Sequence, residues 1–334
     1  MIARKAGILL VLVTLVQSSF AQDDLDNLLT ESLEDGTKLI KGYVDPFMKS
    51  VSLGLNQGWY NTAKPHKFPG FDLTVTATAM TIPSSDLLYD VSKLNLQQVE
   101  MTQNSPGRPF APTIFGPEIS PIYQAVGNTD PNATFEGPEG LDLKENIGKN
   151  WMPVPMATLG IGLPKEIDLK LRISPSIDVG DNGKFKIFGI GVMHNVKQYI
   201  PGLKLLPFDL SGFVGYTRLS LDYQYVDGDV EGENQRGEFS MSATTIQGVI
   251  SKKFSVVTVY GGAGYNIAKS NLGVKGTFVI DGETVENPVD LKFSASGPRI
   301  TAGFRLKFAV FTLHADYTLQ KYSALTAGFG INVR

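Results

Sequence analysis

Three consecutive runs near the carboxyl end, residues 299–308, 311–320 and 325–333, alternate apolar with polar or small residues. Ile300, Ala302, Phe304, Leu306 and Phe308 stand against Arg299, Thr301, Gly303, Arg305 and Lys307; Phe311, Leu313, Ala315, Tyr317 and Leu319 stand against Thr312, His314, Asp316, Thr318 and Gln320. The last run sets Leu325, Ala327, Phe329, Ile331 and Val333 against Thr326, Gly328, Gly330 and Asn332. A period of two puts each set on one face of a strand. Each run is about ten residues long, the length a tilted strand needs to cross a hydrocarbon layer. A soluble sandwich with its charged face in water is the alternative. Full charges do not suit a sandwich core, and apolar outside with polar inside is the pattern of a membrane barrel.

The amino terminus fits that destination. Arg4 and Lys5 precede an apolar stretch, residues 7–16, followed by Gln17-Ser18-Ser19-Phe20-Ala21. A basic start, a short apolar core and small residues before the cut predict a signal peptide over 1–21. The apolar stretch is too short for a membrane-spanning helix. The chain has no cysteine, so disulfides, thiol nucleophiles and cysteine metal sites are out. Loss of Arg4 and Lys5 leaves 28 bases against 33 acids, an acidic balance that argues against a nucleic-acid surface.

Along the mature chain, Leu25, Leu28, Leu29, Leu33, Leu39 and Ile40 recur at helical steps. Gly42 offers a stop and Pro46 follows, so a helix is expected over 23–42 within an N-terminal hatch of residues 22–46. The barrel is then expected over 47–334. Its first strands are read at 51–62 and 71–82, and later ones at 154–163, 167–177, 185–198, 208–225, 239–251 and 255–268. A hairpin about Asp281-Gly282 is expected to extend beyond the membrane. Residues 83–153, broken by seven prolines between Pro106 and Pro138 but carrying Phe110, Ile114, Phe115 and Tyr123, read as a long ordered loop over or inside the barrel. Short connections near 163–167, 252–254 and 308–311 alternate with long ones at 82–153, 227–238 and 269–298, the asymmetry of membrane barrels. The fold class is therefore all-β, an antiparallel transmembrane barrel with an N-terminal helical hatch. Eleven strands are countable; because bacterial barrels are usually even, 94–102 is the candidate for a further one and the expected total is 12–14.

Two stretches carry a family resemblance: GYVDPFMKSVSLGLNQGWYNTAKPHKFPGFDL at 42–73 and GVMHNVKQYIPGLKLLPFDLSGFVGYT at 191–217. They resemble a family of uncharacterised outer-membrane barrels of Bacteroidota. That family is in turn distantly similar, in layout, to the long-chain fatty-acid transporters of Gram-negative outer membranes. The resemblance implies a helical hatch ahead of the first strand, with Tyr43, Pro46 and Phe47 in it. It also implies a passive channel for a small hydrophobic or amphipathic ligand, in contact with outer-membrane lipid.

Charged residues expected to line the lumen are Asp168, Lys170, Arg172, Arg299, Arg305, Lys307, His314 and Asp316. They read either as a solute-selecting constriction or as paired charges filling a plugged lumen, with the acidic hatch helix as partner. His314 and Asp316 share a face about 7 Å apart, yet no nucleophile signature accompanies them, so lumen lining outranks a hydrolase. His66 and His194 are isolated and no HExxH is present. Asp227, Asp229, Glu231 and Glu233 do not follow the order of a calcium loop, so a solvated acidic loop is expected. Gly261-Gly262-Ala263-Gly264 lacks dinucleotide-motif spacing. No cofactor, metal or enzymatic activity is expected. The second candidate role is a structural or assembly barrel docking envelope partners through its long loops, and a barrel hydrolase ranks third.

Overall fold

The computed structural model describes residues 32–333, except 129, 131, 175, 180–182, 225–231 and 281–282. The expected signal peptide, the start of the expected helix (23–31), Asp281-Gly282 and Asp227, Asp229 and Glu231 lie outside the described residues.

Ten strands close into a barrel: β1 (Phe71–Thr81), β2 (Trp151–Leu163), β3 (Ile167–Ile173), β4 (Gly183–Asn195), β5 (Asp209–Gln224), β6 (Gly232–Phe254), β7 (Val257–Ile280), β8 (Val289–Phe308), β9 (Phe311–Leu319) and β10 (Ala324–Val333). Each pairs antiparallel with its chain neighbours, and β10 returns to β1 from Phe71↔Val333 to Met80↔Ala324, leaving no edge. The expectation of 12–14 strands is corrected to ten. Residues 51–62 are not a strand: they finish a helix and turn inside the lumen. The run 94–102 is not in the barrel either; it holds Val99–Met101, a strand of a small separate sheet. Buried on every side, 51–62 has no face whose period could distinguish helix from strand.

The three long strands show where the bilayer lies. In β8, odd-numbered residues point inward throughout, but the chemistry inverts along the strand. Val289, Leu291, Phe293 and Ala295 are buried while Asp290, Lys292 and Ser294 face out; beyond Pro298, Arg299, Thr301 and Arg305 are buried while Ile300, Phe304 and Phe308 face out. The exterior is apolar only over the second part, about the height of a bilayer core. Above it the hairpin β7–β8 stands clear of the membrane.

Three of the four connections at one end are two or three residues long, namely 164–166, 255–256 and 309–310. The opposite end carries 82–150, whose short strands Leu88–Asp90 and Phe110–Pro112 pair with each other, while Val99–Met101, Ile122–Ala125 and Thr134–Glu136 form a three-stranded sheet. This ordered lid sits on helix α1 (Leu33–Gly54), where the Tyr43 carbonyl accepts the Ile114 N–H at 3.0 Å. The chain then descends through the lumen. Leu55–Gln57 lies at mid-depth and Ala63 bonds Ser251 and Ser211 lower down. His66 meets Asp168 near the short turns before Gly70 leads into β1.

The N-terminus of α1 and the lid therefore share the long-loop side, which is external in such barrels. Since the chain has no cysteine, introduced ones report topology directly. A membrane-impermeant maleimide is expected to label Glu34→Cys in intact cells and to label Lys165→Cys, on a short turn, only after lysis. The reverse pattern would invert the barrel.

Candidate functional site in the barrel lumen

The upper lumen is apolar and closed by α1. Ser32 caps the helix, its Oγ accepting the Asp35 N–H at 3.2 Å. Asp35 Oδ2 accepts the backbone N–H groups of Gln97 and Gln98 at 2.7 Å and of Val99 at 3.1 Å, tying helix to lid. Burial pushes the Asp35 carboxyl up, but the donors from Gln98, Gln97 and Val99, with Lys38 beside them, outweigh it and hold it below the usual carboxylate range. The helix does not stop at Gly42 or Pro46 as expected. A Cβ at Gly42 would come within 2.6 Å of the Tyr89 ring, so the glycine makes room for the lid. Pro46 sits buried in the helix interior, where surrounding packing overrides its local penalty. Phe47 lies between Phe115 and Phe239, ring centroids 6.3 and 6.0 Å away, and Tyr43 donates its hydroxyl to the Glu139 carbonyl at 3.0 Å.

At mid-depth two arginines from different walls grip the end of α1. Arg172, wholly buried on β3, donates to the carbonyls of Leu55 (2.7 Å) and Gln57 (2.5 Å) and to Thr158 Oγ1 (3.0 Å), and lies 3.6 Å from the Trp59 ring centroid. Arg299 on β8 donates to the Asn56 carbonyl (2.9 Å) and to Gln57 Oε1 (2.8 Å). The last carbonyls of a helix have no partner within it and carry the negative end of its dipole, so cations there satisfy both. These are not the expected pairs with the acidic helix face. Glu34 and Asp35 lie at the opposite end of α1, Asp35 bound to the lid and Glu34 exposed beside Lys38. The turn that follows is set by Gly58, at φ +67° and tight against Thr76.

The lower lumen is a polar network. Lys170 Nζ lies 3.1 Å from Asp168 Oδ2 and 3.5 Å from Asp72 Oδ1, and His66 Nδ1 lies 3.0 Å from the same Asp168 oxygen. His66 also meets Asn332 and Asp72, so one side chain of the descending segment is bound to β1, β3 and β10. His66, Asp72 and Asp168 bring three metal-ligating atoms within 4.8 Å of one another. The Lys170 ammonium stands among them and takes a cation's place, so a divalent ion would first have to displace it. Asp316 accepts the Tyr260 hydroxyl at 2.8 Å, and Tyr60 donates to Gln247 at 2.5 Å. Lys307 donates to Asn332.

All eight charged residues expected at the lumen point inward, Lys307 half-buried near the mouth and the rest buried. Arg172 and Arg299 are brought to the helix end, while Asp168 and Lys170 are brought to His66. His314 and Asp316 are not brought together: Asp316 is bound by Tyr260, and among the described residues neither ring nitrogen of His314 has a hydrogen-bond partner. His194 stays apart, meeting the Tyr199 hydroxyl at 3.0 Å and the Glu166 carbonyl at 3.2 Å. Sequence reasoning missed the segment Asn56-Gln57-Gly58-Trp59-Tyr60 and His66 as lumen filling. Its signal was a glycine and two aromatics set among amides, with no side left for lipid.

This is an outer-membrane type of β-barrel whose lumen is filled by its own N-terminal segment. A family model described as "Family of unknown function (DUF6588)" matches residues 3–333, and the chain belongs to that family. No curated protein matches it. Among solved structures it is similar to the translocator domain of autotransporter NalP from Neisseria meningitidis, at 13% identity over 86% of this chain and 93% of that one, TM-score 0.29. It is also similar to the attachment invasion locus protein Ail of Yersinia pestis (11%, 80% and 99%, TM-score 0.25). A third is the Ralstonia pickettii toluene transporter TbuX (7%, 85% and 93%, TM-score 0.23).

Proposed function

We propose that the protein is a passive channel or transporter for a small hydrophobic or amphipathic ligand in the outer membrane of a Gram-negative bacterium. The sequence likeness to Bacteroidota barrels and, distantly, to fatty-acid transporters points the same way. The observation that carries the reading is how the lumen is closed. Residues 33–69 are no part of the barrel's backbone hydrogen-bond ladder, which Gly70 joins by accepting the Gly162 N–H at 2.8 Å; side chains hold them to the wall, so they can shift while the barrel stays intact. At the long-loop end of this segment its Tyr43 and Phe47 pack with Phe115 of the lid and Phe239 of the wall in an apolar cluster. The protein is expected in the outer-membrane fraction, migrating faster on an unheated gel than after boiling. Cells carrying it are expected to take up a neutral hydrophobic dye several-fold faster than cells without it; equal rates would end the transport reading.

A second reading is a structural barrel that docks envelope partners through its lid. It rests on Leu88, Phe110 and Val126, exposed on the lid over a filled lumen. It expects dye uptake to be unaffected.

A further inference from the structure

The lumen holds buried polar groups that have no hydrogen-bond partner among the described residues. Arg305 on β8 is 7% exposed, and among the described residues it has neither a hydrogen bond nor an ion pair. His314, opposite it in register on β9, is 4% exposed, and among the described residues neither of its ring nitrogens has a hydrogen-bond partner. Of the nearby carboxylates, Asp72 makes its charge contacts with Lys170 and His66 at 3.5 Å and takes the Thr74 hydroxyl, with no ion pair to Arg305 and with its Oδ1 lacking a hydrogen bond among the described residues, and Asp316 takes the Tyr260 hydroxyl. On the strands, Lys170, Arg172, Arg299 and Arg305 are buried against three carboxylates, and Lys307 adds a further cation at the mouth. A guanidinium buried without an acceptor is costly, and adjacent donors on one wall suit a single acceptor group with two or more oxygens.

We propose that the wall between Arg305 and His314 binds the anionic group, a carboxylate or a phosphate, of a small ligand. Arg305 supplies the charge and the fork of donors, His314 a further ring N–H, and Lys307 a cation toward the periplasmic mouth. This gives the ligand of the channel reading a headgroup and rests on that reading for its biological role. Binding itself is measured at equilibrium, apart from passage.

The test is calorimetric titration of the folded full-length protein in non-ionic detergent with inorganic phosphate, octanoate and octanol. Saturable binding of phosphate or octanoate is expected. Arg305→Gln should weaken it roughly ten- to hundredfold, the size of a charge-assisted hydrogen bond. Arg305→Lys should retain part of the affinity, and Lys165→Gln, on a short turn, all of it. Binding of phosphate alone assigns a free oxyanion; binding of octanoate alone assigns the head of an amphiphile. Either supports the site. If Arg305→Gln does not assemble, as judged by its gel shift, His314→Gln carries the comparison. The site is refuted if folded protein binds neither anion, if the assembled variant binds as well as the native chain, or if octanol binds as tightly as octanoate. Those failures leave the uptake of neutral dye untouched, so they do not by themselves end the channel reading.

Discussion

Replacing Arg172 and Arg299 together with methionine is expected to turn a closed barrel into one that conducts ions in frequent bursts. Methionine keeps much of the length of arginine and none of its donors. The double variant strips the carbonyls of Asn56 and Gln57 of their arginine partners and leaves that of Leu55 the Thr217 hydroxyl at 3.3 Å. Hydrogen bonds to a charged donor contribute about 1.5–3 kcal/mol each, so losing even one per arginine removes about 3–6 kcal/mol from the closed state. That is on the order of a hundred- to ten-thousandfold in the ratio of closed to open. What opens is a ten-stranded lumen. Eight strands enclose a space that side chains just fill, whereas sixteen leave a water channel. Ten, lined here by Thr74, Thr76, Gly328, Gly330 and other small residues, leave room for one chain segment or for what replaces it. Planar-bilayer recording provides the measurement, with the heat-dependent gel shift as the control for assembly. An assembled double variant as silent as the native protein would mean that packing alone retains the segment. Deleting 33–64 would then be the stronger perturbation.

What the sequence made legible, and what it hid, divides along one line. Wherever a strand separates lipid from lumen, every second residue meets a different solvent, and the pattern can be read from local spacing alone. That is why the inward positions of Asp168, Lys170 and Arg172, and the whole of residues 299–333, match the structure. The segment in the lumen touches protein on all sides, so nothing periodic marks it. There local rules misled: Gly42 and Pro46 looked like an ending because their costs are local, while the packing that offsets them comes from a lid more than forty residues away. The contacts of Arg172 with Leu55 and of His66 with Asp168 span 117 and 102 positions, and no spacing rule connects such residues. One signal was present and unused. Around Ser296-Gly297-Pro298 the polarity of the two faces exchanges while the period continues, marking where β8 leaves the membrane.

That boundary leads to the second large effect. Phe304→Arg is expected to reduce assembled, heat-shifting protein to a small fraction of the native yield, while Phe308→Arg stays near it. Phe304 faces out, 49% exposed, with Ala315 and Val259 as its outward register partners on β9 and β7. It lies inside the apolar band, where a cation costs about 2–4 kcal/mol on a barrel exterior, against about 0–1 near an interface. Phe308 is equally outward, 54% exposed, but it ends its strand at the two-residue turn 309–310, where headgroups and water can reach an arginine. Thr301, an inward position on the same strand, is not a neutral reference. It is 4% exposed in a filled lumen and bonded to Arg299 and Thr318, so an arginine there would crowd an existing one. The comparison between Phe304 and Phe308 isolates depth, since both substitutions change the same side chain on the same face of one strand. Equal yields for the two variants would mean that the bilayer does not lie where the inversion at 296–298 puts its outer edge, and the height assigned to the lid and the hairpin β7–β8 would move with it.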